Sequence, residues 1–394
     1  MFGPEHFGID FEQDDEAKKQ ARSKLQARIQ IGGEVQARLI EHCARNIPRD
    51  RYVPPALMRF KRGEKGNLVI QYARGSYTDP WAKYETIGIH KNALRQLSET
   101  AGIDGRYVSK LNLSDEPWRI ELLAHNLNEL FHKQQFKNRL KERAEFLHRL
   151  VGDELRGFLT QSYNRHLLSL PLLRAFIDVC AEVGASPVRA LVGDTKIGLQ
   201  CYLPYVFEIL RKDFVAFGVW FGNSDFGDGR LKISHTFMRL RGFGSAVIED
   251  SYNRVHLGGV VRTSDLKLSD EVAKKEIDTV ASAIQDVVRQ ILRPEAVERI
   301  CEVLAKAAEE EIPWEKLKGN LGKFLNKKEL ADVEKMLELQ IEDLPPPGVD
   351  KDGNPLATRW WAAAAVAHLS ESKVDVDRAI ELKQEVSRLL GLDK

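Results

Sequence analysis

Cysteine is scarce: Cys43, Cys180, Cys201 and Cys301 lie far apart in 394 residues, with no C-x-x-C pair. That spacing points away from a zinc knuckle or a disulfide framework and fits a reducing, cytoplasmic setting. No apolar run approaches the roughly 18 residues that a membrane helix needs. The opening MFGPEHFGIDFEQDDE has no basic segment followed by an apolar one, so neither a membrane span nor a secretion signal is expected. No H-x-x-x-H or H-E-x-x-H spacing sets two ligands on one helical face, and no G-x-x-x-x-G-K-[ST] run offers a phosphate loop. The fold is therefore expected to need neither a metal nor a nucleotide cofactor.

What is present is a globular composition, 43% hydrophobic and 30% charged, on a chain long enough for two or three domains. The net charge of +1 hides a separation, since residues 270–394 carry −7 and residues 1–269 carry +8. Setting aside the acidic first twenty residues, residues 21–269 carry +12. A basic excess of this kind is the electrostatic footprint of a polyanion binder, because neutralised phosphates release condensed counterions. The same excess also serves solubility alone.

Along the chain, an N-terminal helical segment (1–45) is expected to break at Gly32-Gly33. Residues 46–143 read as a basic, Pro-interrupted arm, a small strand near Asn67–Tyr72, and helices including one over about Pro117–Lys141. The fold class is α+β, with a central antiparallel sheet flanked by helices (144–268) and a helical C-terminal domain. The central unit opens with the hairpin FLHRLV and LRGFLT around Gly152, followed by a helix over Leu167–Val183. A meander of strands over Val188–Val192, Ile197–Leu203, Phe214–Phe221, Leu231–Leu240 and Ser245–Ile248 comes next. Residues 269–344 read as all helix. LPPPGVDKDGNP marks a linker (345–356) across which few contacts are expected, and 357–394 forms a closing helical pair.

Candidate binding residues cluster where aromatics alternate with cations in FGVWFGNSDFGDGRLKISHTFMRLRGFGSAVIEDSYNRVHLGG. Stacking rings beside a positive groove hold single strands, at ~1 to 3 kcal/mol per stacked base. Trp220, Arg230, Lys232, Arg239, Arg241 and Arg254 are the candidates here, joined by Arg156 and Arg165 after the hairpin. Lys137, Arg139 and Lys141 come from the densest basic stretch. Phe237 alternates with Leu231 and Ile233, which places it in the core. His235, His256, Asp225 and Asp228 form the one combination able to gather a metal, although turn chemistry alone accounts for both aspartates. GDTKIG at 193–198 reads as a hairpin turn, Cys180 and Cys201 as packing, and Trp360-Trp361 with Ala362–Ala365 as a closely docking helix.

The order ALRQLSETAGIDGRYV, LLAHNLNEL, LVGDELRGFLTQSYNRH and FGNSDFGDGRLKISHTFMRLRG with VHLGG resembles a phage- and plasmid-borne family labelled a domain of unknown function. The resemblance covers most of residues 50–390, and TRWWAAAAVAHLSESKVDVDRAIELKQEVSRLLG is similar to that family's closing pair of helices. Where the family carries a Cys-x-Asn-Gly segment after its Arg-bearing strand, this chain has RGFGSAVIED. The resemblance implies a mobile-element protein. Charge, pattern and resemblance together lead to the expectation of a non-enzymatic binder of single-stranded or partly unwound DNA. The narrower form is a single-strand annealing or recombination accessory factor that assembles as an oligomer. Two rival readings stand beside it: a factor that docks a host protein through its acidic helical tail, and a metal-dependent nuclease.

Overall fold

In the computed structural model the chain is described over residues 3–8, 15–72, 85–112, 116–132, 145–160, 167–210, 213–240, 245–254, 270–338, 348–349, 351, 355–373 and 376–392. Helix α1 (Glu16–Arg45) starts where Asp15 accepts the Lys18 amide at 2.7 Å, which satisfies one of the open N–H groups of its first turn. It runs unbroken through Gly32-Gly33, against the expected interruption. The reason is a close approach: Gly32 is buried, and a Cβ there would sit 1.6 Å from the Pro187 carbonyl oxygen.

The basic arm is a pair of strands rather than a connector. Strands β1 (Arg49–Val53), β2 (Met58–Arg62), β3 (Leu68–Tyr72), β4 (Glu85–Ile89), β5 (Phe146–Val151) and β6 (Glu154–Thr160) form one sheet in the order β1-β5-β6-β4-β3-β2. Pro54 and Pro55 fall between β1 and β2, outside both ladders, so their missing N–H groups cost no sheet bond. The β5–β6 hairpin forms around Gly152, whose φ of 57° suits a left-handed turn position. It belongs to this first sheet and not to the central one, because β1 pairs with β5 and β4 runs parallel to β6. Helices α2 (Lys91–Ala101), α3 (Gly105–Asn112) and α4 (Pro117–His132) cover one face of the sheet. Phe60, Ile70, Ile87 and Phe158 pack there against Leu97, Leu123, Leu127 and Phe131.

Helix α5 (Ser169–Val183) leads into a meander of the five expected strands and one unexpected one, β9: β7 (Ser186–Val192), β8 (Ile197–Tyr202), β9 (Phe207–Leu210), β10 (Asp213–Asn223), β11 (Leu231–Arg239) and β12 (Ser245–Arg254). The order is β12-β11-β10-β8-β7, with β9 also paired to β10 and every pairing antiparallel. The α+β architecture with a central antiparallel sheet is therefore present. Strand β10 is apolar on both faces because both are covered. Val219, Phe221, Leu231 and Ile233 meet Phe176 and Val179 of α5 and Ile284 and Val288 of α6 (Asp270–Ile291). On the opposite face Tyr202, Phe214, Ala216 and Met238 lie under Ala21 and Leu25 of α1.

Beyond α6 the chain forms α7 (Pro294–Glu309), α8 (Trp314–Leu321), α9 (Lys327–Glu338), α10 (Arg359–Glu371) and α11 (Val376–Leu390). The tail is not purely helical. Strands β13 (Glu311–Pro313), β14 (Gly348–Val349) and β15 (Pro355–Thr358) make a small antiparallel sheet ordered β13-β15-β14. Contacts also cross the Pro-rich linker, contrary to the sparse contact expected there. Trp360 stacks on Phe237 at 5.8 Å, and the buried Ala362, Ala363 and Ala365 belong to the same core as Val215 and Phe217. Small side chains bring α10 close, in line with the docking helix expected of Trp360-Trp361. Among the described residues no helix is long and apolar enough to cross a membrane.

Candidate nucleic-acid interface

Both faces of the central sheet lie beneath helices, and this decides the fate of the cations expected on β11. Lys232 and Arg239 are each 5% exposed and Trp220 is 4% exposed. The Arg239 Nε donates to both carboxylate oxygens of Asp213, at 2.9 and 3.0 Å, and Trp360 Nε1 donates to Asp213 Oδ2 at 2.9 Å. This buried triad joins α10 to the sheet, so Arg239 holds a carboxylate where a phosphate was expected. The Trp220 indole lies across Gly198, where a Cβ would meet it at 1.9 Å, and presents no open face for a base. Phe237 is in the core, as its alternation implies.

Among the described β11 candidates Arg230 alone is exposed, in the turn before the strand. Arg156 on β6 is engaged within the chain, donating to Glu154 at 2.9 Å, Asn46 Oδ1 at 3.3 Å and the Asp194 carbonyl at 3.2 Å. Arg254 falls on β12 opposite Leu231. Lys137, Arg139, Lys141, Arg165, Arg241 and His256 lie outside the described residues.

Of the four residues expected to be able to gather a metal, three are described, and each is accounted for separately. Asp225 accepts from the Ser169 amide at 2.7 Å and the Ser169 hydroxyl at 2.9 Å, which fixes the start of α5. Burial raises its pKa, opposed by Arg149 and by those two bonds. Asp228 faces Thr195 at 2.8 Å, Arg95 at 3.2 Å and Lys196 at 3.5 Å. His235 is held neutral by desolvation, its pKa pushed down to about 4. Among the described residues no group of three or more His, Cys, Asp or Glu could hold a metal ion. The β10–β11 turn bears on architecture instead: Asn92 and Gln96 donate to the Phe226 carbonyl at 3.1 and 2.8 Å, fastening the second sheet to the first. Residues 193–196 form the expected hairpin turn, with the Gly193 amide bonded to the Lys196 carbonyl at 2.8 Å. Cys180 and Cys201 are buried neighbours, and burial pushes the Cys180 thiol well above its ordinary range, which suits packing rather than nucleophilic chemistry.

The accessible charge stands elsewhere. At one end of the first sheet a groove of about 450 Å³ is lined by Arg49, Arg51, Tyr52, Val53, Leu57, Tyr72 and Glu85. Arg49 and Arg51 are two residues apart on β1, so the strand period puts both on one face. The Arg49 side chain donates to the Gly152 carbonyl at 2.9 Å. The Arg51 guanidinium lies over the Tyr72 ring at 5.0 Å and bonds Glu85 Oε2 at 2.9 Å. Tyr52 is 37% exposed at the rim. Beneath them, Tyr72 and His148 are hydrogen-bonded at 2.7 Å between the phenol oxygen and Nδ1, and the His148 Nε2 has no hydrogen-bond partner among the described residues. Burial, with Arg51 nearby, lowers the His148 pKa to about 3, so the imidazole is neutral and acts as rigid support for the Tyr72 ring.

This groove is masked in the sequence by the prolines and basic residues of 46–66, which look like a connector. The signal available was the R-D-R-Y alternation, which becomes a two-sided pattern once the segment is a strand. His132 and Phe146, which bracket the dense basic stretch in sequence, border the same region: His132 Nε2 is hydrogen-bonded to the Met58 carbonyl at 2.9 Å, and Phe146 pairs with Val53. No protein-family model, curated protein or solved structure matches the chain.

Proposed function

We propose that the protein binds single-stranded or partly unwound nucleic acid, and that the groove at the end of the first sheet is its primary contact. The observation carrying this reading is the pair of guanidinium groups, Arg49 and Arg51, on one strand face of a groove whose lining also includes the partly exposed Tyr52. Guanidinium forks suit phosphate oxygens, and an exposed aromatic ring accepts a base face regardless of its identity. A volume of about 450 Å³ lies within the range of small-ligand sites. That is room for about one nucleotide unit and far too little for a duplex. The +12 balance of residues 21–269 supplies the long-range attraction. A role in phage or plasmid recombination, as an annealing or accessory factor, extends the proposal along the family resemblance.

The test is fluorescence anisotropy with a labelled oligothymidylate and with a duplex of equal length, each titrated over a range of salt. Tighter binding of the single strand is expected, with log affinity falling linearly in log salt. The double variant R49A/R51A is expected to lose affinity about tenfold and to flatten that slope by about one to two phosphate contacts. Unchanged affinity and slope in that variant would remove the groove from the proposal.

A further inference from the structure

Resting on that reading, we infer that Glu85 is a built-in competitor for the anion site, a gate that keeps the groove from holding polyanions tightly. Its Oε2 already sits 2.9 Å from Arg51 Nη1, in the position that a phosphate oxygen would need in order to reach the same nitrogen. The two side chains are 36% and 21% exposed, so the pair is reachable from solvent and can be exchanged for an incoming anion. Arg51 has a second support besides Glu85. The Tyr72 ring lies under its guanidinium at 5.0 Å and is itself fixed by the bond to His148 at 2.7 Å. Glu85 therefore adds charge competition to a cation that is already placed. A ligand must displace one carboxylate before it gains one phosphate contact, and this lowers affinity for any isolated phosphate relative to a strand that also stacks a base.

The experiment compares wild type, E85Q, R51A and the double variant E85Q/R51A for oligothymidylate affinity at one fixed salt concentration, with melting temperatures as a check on folding. E85Q removes the charge and keeps the shape, and is expected to bind about fivefold tighter. The gain is expected to vanish in the R51A background, because it acts through that guanidinium. Should E85Q melt early, E85S carries the same expectation. Equal or weaker binding by a folded Glu85 variant overturns the gate, since Glu85 would then be orienting Arg51. A gain that persists without Arg51 also overturns it and assigns the effect to general charge. Failure of wild type and E85Q alike to bind any oligonucleotide defeats the underlying binding reading instead.

Discussion

Alanine at Gly32 and alanine at Gly33 are expected to shift stability in opposite directions, although the two glycines are adjacent in one helix. In a helix interior the exchange of glycine for alanine stabilises by about 1 kcal/mol, because the unfolded chain loses freedom it would otherwise give up on folding. At Gly33 no described residue lies within 4 Å of the added carbon, so this gain should appear nearly whole. At Gly32 the added carbon would sit 1.6 Å from the Pro187 carbonyl oxygen and 2.5 Å from its carbon. Normal contact needs roughly 1.5 Å more, and the obstacle is backbone held in the β7–β8 ladder, where Pro187 is paired with Cys201. Helix α1 would have to withdraw, loosening Leu25 from Tyr202 and Phe214. Overpacking of this kind costs about 1 to 3 kcal/mol or more, which outweighs the propensity gain. Urea titration followed by tryptophan fluorescence should place the G32A midpoint below wild type and the G33A midpoint above it. Midpoints that move the same way would refute the close approach of α1 to β7.

Deleting residues 345–394 should yield aggregated protein in size-exclusion chromatography, because it uncovers Phe217 and Phe237 and leaves the buried Asp213–Arg239 pair without Trp360. A soluble, monodisperse truncation would show that the central sheet closes without α10. Acid should destabilise the protein well above the carboxylate range. His148 titrates near 3 in the fold against an ordinary value of 6.5, so below pH 6.5 the unfolded chain takes a proton that the native state refuses. The His148 contribution is complete above pH 6.5 and drains at about 1.4 kcal/mol per pH unit as pH falls toward 3. Urea midpoints at pH 7, 6 and 5 should therefore fall in wild type and fall less steeply in H148N, and parallel slopes would count against this account.

Local pattern carried the parts of the fold whose partners are near in sequence. The β5–β6 hairpin, α5 and the β7–β12 meander apart from β9 each follow from alternation, a turn glycine or a helix period, because neighbouring segments supply the burial. What escaped was decided at long range. The R-D-R-Y segment becomes a strand only because β5, about a hundred residues later, offers it a ladder. Gly32-Gly33 reads as a break until β7 arrives to occupy the space that a side chain would take. The buried candidates Trp220, Lys232 and Arg239 were lost for a related reason: on β10 and β11, alternating cations and aromatics suggest one solvated face, yet α1 and the C-terminal helices cover both. Arg239 and Trp220 thus kept the chemistry expected of a binding strand while losing access to any ligand.

The triad of Asp213, Arg239 and Trp360 ties a strand in the middle of the chain to a helix near its end, and this imposes an order on biosynthesis. When the meander leaves the ribosome, Phe217, Phe237 and a buried ion pair still face water, and more than a hundred further residues must be translated before α10 can cover them. At about 5 to 20 residues per second, that interval lasts from several seconds to some tens of seconds. During it the nascent chain displays an apolar sheet face beside an unfinished polar one, the kind of surface that holdase chaperones bind. Yield in a cell should therefore depend less on the final stability of the protein than on how that waiting period is protected.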